Sequence, residues 1–349
     1  MKKLCYAAAG LFALICGAPF ANADDKTITL KIADALPNGH IVHQFILKPF
    51  MEGVTQATNG HVVFQHFPAE QLGKAKDMLM LEQSGVADIA LTVPSYISDK
   101  MSLTAAAELP GAFGNVCEAV KAYRMLTQDG QVLAKYEYGV NRVKALMSFP
   151  TSASSLMISS SRKVNSVSDI AGLKLRTAGG AHDLTVRSLS AVSVRMAPPE
   201  VYESMQRGTI DGALFPIASV ISYDLTNLIK SGNSTVNFGG IVLTYSISET
   251  KWKALSPDIQ KIIQDEADKA VLSGCKKLDA AQGEGIKKIE AAGGKFFEFS
   301  ADDTAKLDVV FDDVRKDWAA QLDKRGKPGS ETLNAWTAAI KTVRAAPNN

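Results

Sequence analysis

The chain has 349 residues, of which 46% are hydrophobic and 21% are charged. This composition is typical of a globular protein, and it excludes a fibrous or intrinsically disordered chain. The 38 basic and 36 acidic side chains nearly cancel, so the chain lacks the basic surplus that a nucleic-acid partner requires. The length is sufficient for one large domain or two domains of ordinary size.

The first residues have the pattern of a secretory signal peptide. Lys2 and Lys3 form a positive start, residues 4–15 are an apolar stretch too short to span a bilayer, and residues 21–23 (Ala-Asn-Ala) form a small-x-small cleavage site. We expect cleavage after Ala23, which leaves 326 residues with 36 basic and 36 acidic side chains. The rest of the sequence contains no apolar run long enough to cross a bilayer, so we do not expect the mature protein to span a membrane.

The cysteines divide between the signal peptide and the mature chain. Cys5 and Cys16 leave with the signal peptide, and Cys117 and Cys275 remain. An oxidising compartment allows a disulfide between these two residues. Two separate buried thiols are the alternative.

The mature chain begins with alternating strand and helix patterns. A strand is predicted over residues 27–33, a helix over residues 41–58 and a second strand over residues 61–67, and this alternation favours an α/β architecture. The C-terminal third is helical. Its first helix begins at Ser256-Pro257-Asp258, with Ser as the N-cap, and continues towards Ala292, which is long enough to brace two lobes. A short strand over residues 295–299 and two helices over residues 301–324 and 330–345 complete the chain.

Two segments of nine residues resemble each other. Residues 83–91 and residues 206–214 each show Gln-x-Gly at the end of a helix, followed by an Asp and an apolar strand. Gly85 and Gly208 suit a left-handed position just beyond the helix. The similarity indicates two α/β lobes built on one plan, and coincidence between two common turns is the alternative.

Enzyme motifs are scarce. Ser160 and Lys163 match the S-x-x-K pattern of serine acyl-enzymes, but Ser160 follows a strand-like run instead of opening a helix. His40 and His43 are three residues apart, yet a zinc site needs further ligands nearby. We therefore expect no catalytic residues, no metal and no other cofactor, and a serine acyl-enzyme built on Ser160 and Lys163 is a remote alternative.

Arg176 lies at the end of a predicted strand. Leu173 and Leu175 would face the core, while Lys174 and Arg176 would share the other face. An arginine at a strand end can hold a carboxylate with both arms of its planar guanidinium. A surface arginine would produce the same alternation, so both interpretations stay open on this evidence.

Several segments, in this order along the chain, resemble the DctP family of TRAP-transporter substrate-binding proteins. They are the signal peptide, Ala69-Glu-Gln-Leu-Gly73, Gly85-Val-Ala-Asp88, Glu108-Leu-Pro110, Asp169-Ile-Ala-Gly-Leu-Lys-Leu-Arg176 and Met205-Gln-Arg-Gly-Thr-Ile-Asp-Gly212. The resemblance covers nearly the whole mature chain. It implies an α/β, two-lobe periplasmic binding protein fold, with crossing strands and a long bridging C-terminal helix.

The resemblance also implies a division of the chain and a function. We expect a signal peptide at 1–23, lobe I at 24–147 and 238–280, and lobe II at 148–237 and 281–349, the last range including the C-terminal helices. The family delivers organic acids in the periplasm to a membrane permease. The implied partners are therefore a small organic carboxylate and the membrane subunits of a TRAP permease, without nucleic acid.

The resemblance gives Arg176 a role, and departures from the family pattern suggest the ligand. The arginine of the family motif pairs with the ligand carboxylate, and Arg176 occupies that position. Phe215 stands where many members have a polar residue, and the strand at residues 155–158 lacks a basic residue that members often have. We therefore expect a monocarboxylate with an apolar or aromatic body, enclosed by Phe149, Tyr96 and Phe215.

Further contacts follow from the position of strand ends. His40 and Tyr96 come after strands that should end at the cleft between the lobes, where ligands of open α/β sheets bind. Either side chain could donate a hydrogen bond to the ligand, and Ser155 and Thr177 are weaker candidates. The alternatives within the same fold are a hydroxy-acid or dicarboxylate carrier and a ligand sensor for a membrane receptor. For the aromatic residues, packing in the core is the alternative.

Overall fold

The computed structural model describes residues 27–346. The predicted signal peptide and its cleavage site lie outside these residues. Within this range, no helix combines the length and the apolar character needed to cross a membrane.

Strands and helices alternate through the first two thirds of the described chain. The strands are β1 (Ile28–Ala33), β2 (Val62–Phe67), β3 (Ile89–Thr92), β4 (Val143–Pro150), β5 (Ser154–Ile158), β6 (Lys174–Thr177), β7 (Val192–Arg195), β8 (Gly212–Pro216), β9 (Ser231–Asn233), β10 (Val242–Ser248) and β11 (Lys295–Phe296). The α-helices are α1 (Lys48–Ala57), α2 (Met78–Gln83), α3 (Val116–Thr127), α4 (Ala181–Ser188), α5 (Val201–Gln206), α6 (Glu249–Ala254), α7 (Pro257–Ala291), α8 (Ala301–Lys324) and α9 (Gly329–Ala345).

The strands form two sheets, one in each lobe. Lobe I contains the sheet β2-β1-β3-β10-β4, in which β1, β2 and β3 are parallel and β10 is antiparallel to both of its neighbours. Lobe II contains the sheet β11-β9-β5-β8-β6-β7. The chain crosses from lobe I to lobe II between β4 and β5 and returns between β9 and β10. The predicted α/β fold with two lobes and crossing strands is therefore confirmed, whereas the lobe boundaries in sequence stay predictions.

The long helix α7 contacts both lobes. Ser256 caps it as predicted, since its Oγ accepts a hydrogen bond from the backbone N–H of Ile259 at 3.4 Å, and Pro257 occupies the first turn. The N-terminal half of α7 packs on α1 and α3, and its C-terminal part packs on β11 and on residues 217–219 in lobe II. The predicted bracing helix is thus present at 35 residues.

The last two helices link the lobes a second time. The first half of α8 packs Leu307 and Phe311 into the core of lobe II, and its second half packs Trp318 beside α3. The C-terminal helices were predicted to belong to lobe II. However, α9 packs on α3 in lobe I, because the apolar face of α9, with Trp336 and Ile340, meets that helix.

The two lobes share one plan around their central parallel strands. In lobe I, Asp88 Oδ2 accepts a hydrogen bond from the backbone N–H of Lys31 at 2.8 Å. In lobe II, Asp211 Oδ2 accepts the equivalent bond from Lys174 at 2.9 Å. The strand register is also the same, since Ile32 pairs with Ile89 and Leu175 pairs with Gly212, each one residue beyond the bonded pair. The internal similarity found in the sequence therefore reflects a repeated structure.

Two cysteines, Cys117 and Cys275, are joined. Cys117 on α3 and Cys275 on α7 form a disulfide, with Cα atoms 5.0 Å apart. This bond ties α3 to the long helix within lobe I.

Candidate ligand-binding site

A small cavity lies between the lobes, at the carboxyl ends of β3 and β8. Lobe I contributes His40, Tyr96 and Leu243 to its wall, and lobe II contributes Phe215 and Tyr223. The cavity encloses about 40 Å³ and adjoins a wider chamber of about 400 Å³, with which it shares Glu70, Ala75, Tyr96 and Pro199. Since one water needs roughly 10–15 Å³, the inner cavity has room for only a few waters. An organic ligand therefore requires either the adjoining chamber or a wider separation of the lobes.

Arg176 is fully buried next to this cavity. Strand alternation on β6 directs Leu175 into the core of lobe II and Arg176 to the opposite face. Its Nε donates to the carbonyl of Met196 at 3.1 Å and its Nη1 donates to the carbonyl of Leu214 at 3.3 Å. Among the described residues, Nη2 has no hydrogen-bond partner and no carboxylate forms an ion pair with the guanidinium. The surface interpretation of Arg176 is thereby excluded.

Two cavity-lining aromatic side chains adjoin the guanidinium. The ring of Phe215 lies 5.2 Å from its central carbon, which is within cation–π range. Burial lowers the pKa of Arg176 and raises the pKa of Tyr96, and the proximity of the two groups opposes both shifts. Arg176 is not itself part of the cavity wall formed by the described residues. A ligand therefore reaches Nη2 only after a movement of Phe215, Tyr96 or the lobes.

His40 is a neutral hydrogen-bond donor in the wall of the cavity. Its Nδ1 accepts a hydrogen bond from the backbone N–H of Val42 at 3.2 Å, so the neutral ring carries its proton on Nε2. Burial lowers the pKa of His40 to about 4, although the nearby Asp34 carboxylate opposes this shift. The ring remains uncharged at neutral pH.

Tyr223 is the main residue that sequence analysis missed. It belongs to lobe II, in the loop between β8 and β9, and its ring meets Phe215 edge-on at 5.8 Å and His40 at 5.4 Å. The second of these contacts joins the two lobes across the cavity. A tyrosine seven residues beyond a strand has no distinctive sequence pattern. The one available signal is that it follows β8, whose end carries Phe215.

Three predicted site residues lie elsewhere. Phe149 packs in the core of lobe I beside its cross-strand partner Leu243, so the alternative of core packing describes its position. Ser155 faces a polar groove at the N-terminus of α3, outside the cavity. The Oγ1 of Thr177 donates its one proton to Asp183 at 2.5 Å in the interior of lobe II, so this hydroxyl has no proton left to donate to a ligand. His40, Tyr96 and Phe215 line the cavity, and their contact with a ligand stays a prediction.

The local structure around Ser160 and Lys163 does not support the acyl-enzyme hypothesis. Residues 159–166 follow β5 without forming a helix, so Lys163 does not lie one helical turn from Ser160. The Ser160 hydroxyl accepts a hydrogen bond from the backbone N–H of Arg162 at 3.3 Å. The arrangement that S-x-x-K chemistry requires is therefore not formed.

The family follows from a direct comparison. The model of the DctP family, described as bacterial extracellular solute-binding protein, family 7, matches residues 32–321. The chain belongs to this family. Its members are substrate-binding proteins of TRAP transporters and not enzymes, so the predictions of family and of a non-enzymatic role are confirmed.

Relatives with known ligands share most of the chain. A monocarboxylate 2-oxoacid-binding periplasmic protein of Nostoc is 26% identical over 301 residues, which cover 81% of this chain and 79% of the relative. A marine metagenome TRAP protein from an unidentified microbe, specific for aromatic acids and bound to metahydroxyphenylacetate, has a TM-score of 0.82 at 22% identity and covers 90% of this chain and 99% of its own. A Rhodoferax ferrireducens TRAP protein bound to benzoate also has a TM-score of 0.82, at 21% identity, with 91% and 99% covered. At these identities, the two structures establish the shared fold.

Proposed function

We propose that this protein is a periplasmic carrier that captures a small monocarboxylate with an aromatic or compact apolar body and delivers it to a TRAP-type permease. The main support for this proposal is Arg176, whose guanidinium is fully buried, has no acidic partner among the described residues and has an unpaired Nη2. A buried charge of this kind costs several kcal/mol unless it is paired. A ligand carboxylate supplies the pair.

The same cost explains why ligand binding favours closure. Two backbone carbonyls satisfy Nε and part of Nη1, while the Nη2 protons are left without acceptors when the lobes are arranged as in this structure. Separation of the lobes would admit water to these donors, and a bound carboxylate would replace that water in the closed form. The ligand thus has a higher affinity for the closed state and shifts the population towards it.

The cavity wall supports an apolar ligand body. Phe215, Ile241 and Leu243 face the cavity together with Pro198 and Pro199. Such a pocket, with a few polar groups, is the usual setting for a small organic ligand. The ligands named for the two structural neighbours are aromatic monocarboxylates, and the Nostoc relative is named for monocarboxylates as well.

Calorimetric titration of residues 24–349 tests the proposal. Benzoate is the first ligand, benzamide is its neutral analogue, and cyclohexanecarboxylate tests whether the ring must be aromatic. We expect benzoate to bind at least about 30-fold more tightly than benzamide, because removal of one partner of a buried charge pair costs roughly 2–5 kcal/mol. Pyruvate and succinate are run beside them.

Each outcome has a distinct meaning. Tighter binding of pyruvate or succinate than of benzoate would discard the apolar pocket and keep the carboxylate carrier. Equal binding of benzoate and benzamide would remove Arg176 as the anchor. If no carboxylate binds, and none raises the melting temperature in a broad screen at saturating concentration, the carrier proposal fails, since binding at 100 times Kd adds about 2.7 kcal/mol of stability.

A further inference from the structure

We infer that the lobe I end of the cavity recognises a hydroxyl group on the ligand, so that the substrate class is a hydroxyaryl monocarboxylate. This inference rests on the proposed function, because it assumes that Arg176 holds the carboxylate. It adds a second recognition element, formed by His40 and Tyr223, at the opposite end of the ligand.

An aromatic series leads from the guanidinium to lobe I. The Phe215 ring lies 5.2 Å from the Arg176 central carbon, the Tyr223 ring 5.8 Å from Phe215, and the His40 ring 5.4 Å from Tyr223. Three of these residues line the cavity, namely Phe215, Tyr223 and His40. A flat ligand body bound along this series would present its far end to His40 and Tyr223.

A neighbouring backbone group fixes the hydrogen-bonding role of His40. The N–H of Val42 donates to Nδ1, so Nε2 carries the ring proton and can donate a hydrogen bond but cannot accept one. The group that meets Nε2 must therefore be an acceptor. A ligand ammonium, which only donates, is disfavoured at this position.

The charges around His40 select against a second carboxylate. Asp34 is fully buried beside it, where its Oδ1 accepts from the backbone N–H of Leu36 at 2.7 Å and its Oδ2 accepts from the Tyr245 hydroxyl at 2.8 Å. The Nε2 of His66 lies 3.3 Å from the same Oδ2. Glu70 also lines the cavity, and its carboxylate forms an ion pair with Lys74 at 2.9 Å. A ligand dianion would bring its second charge towards the buried Asp34 carboxylate, whereas a neutral hydroxyl avoids that repulsion.

Tyr223 completes the preference for a group that both accepts and donates. Burial raises the pKa of its phenol well above the ordinary value, so the group stays protonated. A protonated phenol can donate to a ligand oxygen or accept from a ligand hydroxyl. A ligand hydroxyl can accept from His40 Nε2 and can also donate to, or accept from, the Tyr223 phenol. A ligand ring that carries only C–H groups at this end can form neither hydrogen bond.

The test is a double-mutant cycle between the protein and the ligand. Titrations compare benzoate with 3- and 4-hydroxybenzoate, and phenylacetate with its 3- and 4-hydroxy derivatives. The variants are wild type, Y223F and H40N. Asparagine can keep the local turn, because its side-chain oxygen accepts the N–H two residues later, as His40 Nδ1 does from Val42, but it does not reach the far end of the cavity.

We expect at least one hydroxy acid to bind wild type about 3- to 10-fold more tightly than its parent, the range of one net hydrogen bond. The ratio of the two Kd values should fall to about 2 or below in H40N, with a smaller fall in Y223F. The ratio is the readout because lost packing weakens both ligands alike.

Failure of this inference differs from failure of the proposed function. If benzoate or phenylacetate binds and no hydroxyl at either position improves affinity, the inference is overturned and the carrier remains. A hydroxyl preference that persists in both H40N and Y223F would also overturn it. So would tighter binding of isophthalate than of 3-hydroxybenzoate, because that result would place a cationic site at the far end.

Discussion

The two lobes share one backbone plan but bury side chains of opposite charge near the cleft. The matched aspartates, Asp88 and Asp211, fix the same register in both sheets, so Ala33 on β1 corresponds to Arg176 on β6. The next residue along is the buried acid Asp34 in lobe I and Thr177 in lobe II. The repeated backbone therefore fixes equivalent positions in the two sheets, and the different residues at these positions bury a cation in lobe II and an acid in lobe I.

Under the proposed function, this asymmetry would orient the ligand. Lobe II supplies the buried guanidinium and the ring of Phe215, while lobe I supplies Asp34 and the neutral donor His40. Two identical walls would favour a symmetric ligand. A buried cation behind the lobe II wall and a buried acid behind the lobe I wall would instead favour a monocarboxylate with a neutral far end.

The largest expected effect comes from removing the charge that distinguishes the lobes. Arg176→Ala should weaken benzoate binding by roughly 2–5 kcal/mol, at least about 30-fold, because the ligand carboxylate then lacks its buried partner. Calorimetry of this variant beside Arg187→Ala, an exposed arginine on α4 in the same lobe, measures the effect. Comparable affinities for the two variants would show that the asymmetry does not anchor the ligand.

A second prediction concerns the junction between lobe I and the returning crossing strand. Glu108 Oε1 accepts hydrogen bonds from the Ser95 hydroxyl at 2.6 Å and from the backbone N–H of Val242 at 2.9 Å. Burial raises the pKa of Glu108 to about 7 from an ordinary value of 4.5. The folded state therefore binds an extra proton between these two values, and the stability from the neutral form is lost as the pH rises from about 4.5 to about 7.

Glu108→Gln mimics the neutral form and should remove that pH dependence. The free energy of unfolding of the variant, relative to wild type, should increase from pH 4.5 to pH 7 by on the order of 3 kcal/mol and stay constant above. Urea unfolding at a series of pH values gives this difference, with the exposed Glu298→Gln as control. A difference that does not change with pH would mean that Glu108 is ionised in the folded protein at pH 6.

Local signals predicted the elements that local chemistry controls. Ser256-Pro257 marked the start of the long helix, and the repeated Gln-x-Gly-x-x-Asp segments correctly indicated two similar lobes. Boundaries that depend on neighbours were less accurate. The helix predicted over residues 41–58 is present over residues 41–57, with a π-helical segment at His43–Leu47, whereas the strand predicted over residues 295–299 is limited to Lys295–Phe296.

The site was predictable only in part, because the direction of a side chain depends on long-range pairing. The family motif identified Arg176, and the strand-end rule located His40 and Tyr96. Alternation along a strand does not show which of its two faces meets the cleft. For this reason the sequence did not reveal that Phe149 packs into the core. Tyr223 reaches the cavity from a loop, where sequence periodicity carries no information about direction.

The matched aspartates allow a direct comparison of the lobes. Asp88→Ala and Asp211→Ala each remove the acceptor for one backbone N–H, and Asp88→Ala also removes an ion pair with Lys251 at 3.1 Å. Each should cost about 1–2 kcal/mol of unfolding free energy. Benzoate affinity should fall severalfold in Asp211→Ala alone, because Asp211 bonds the first residue of the strand that ends near Arg176. Equal losses of affinity in both variants would show that the two turns contribute equally to the site.

The smallest effect tests whether the repeated turns are equivalent in energy as well as in form. Gly85 and Gly208 have φ values of +76° and +69°, and an added Cβ would meet no atom within 4 Å at either position. Alanine at each should therefore cost only the backbone strain of the left-handed region, about 1 kcal/mol, and the two costs should agree within about 0.5 kcal/mol. Gly283→Ala, in open space within α7, should instead stabilise the protein, because alanine favours a helix interior. Urea unfolding measures all three variants, and unequal costs at Gly85 and Gly208 would show that the lobes share a turn without sharing its energetics.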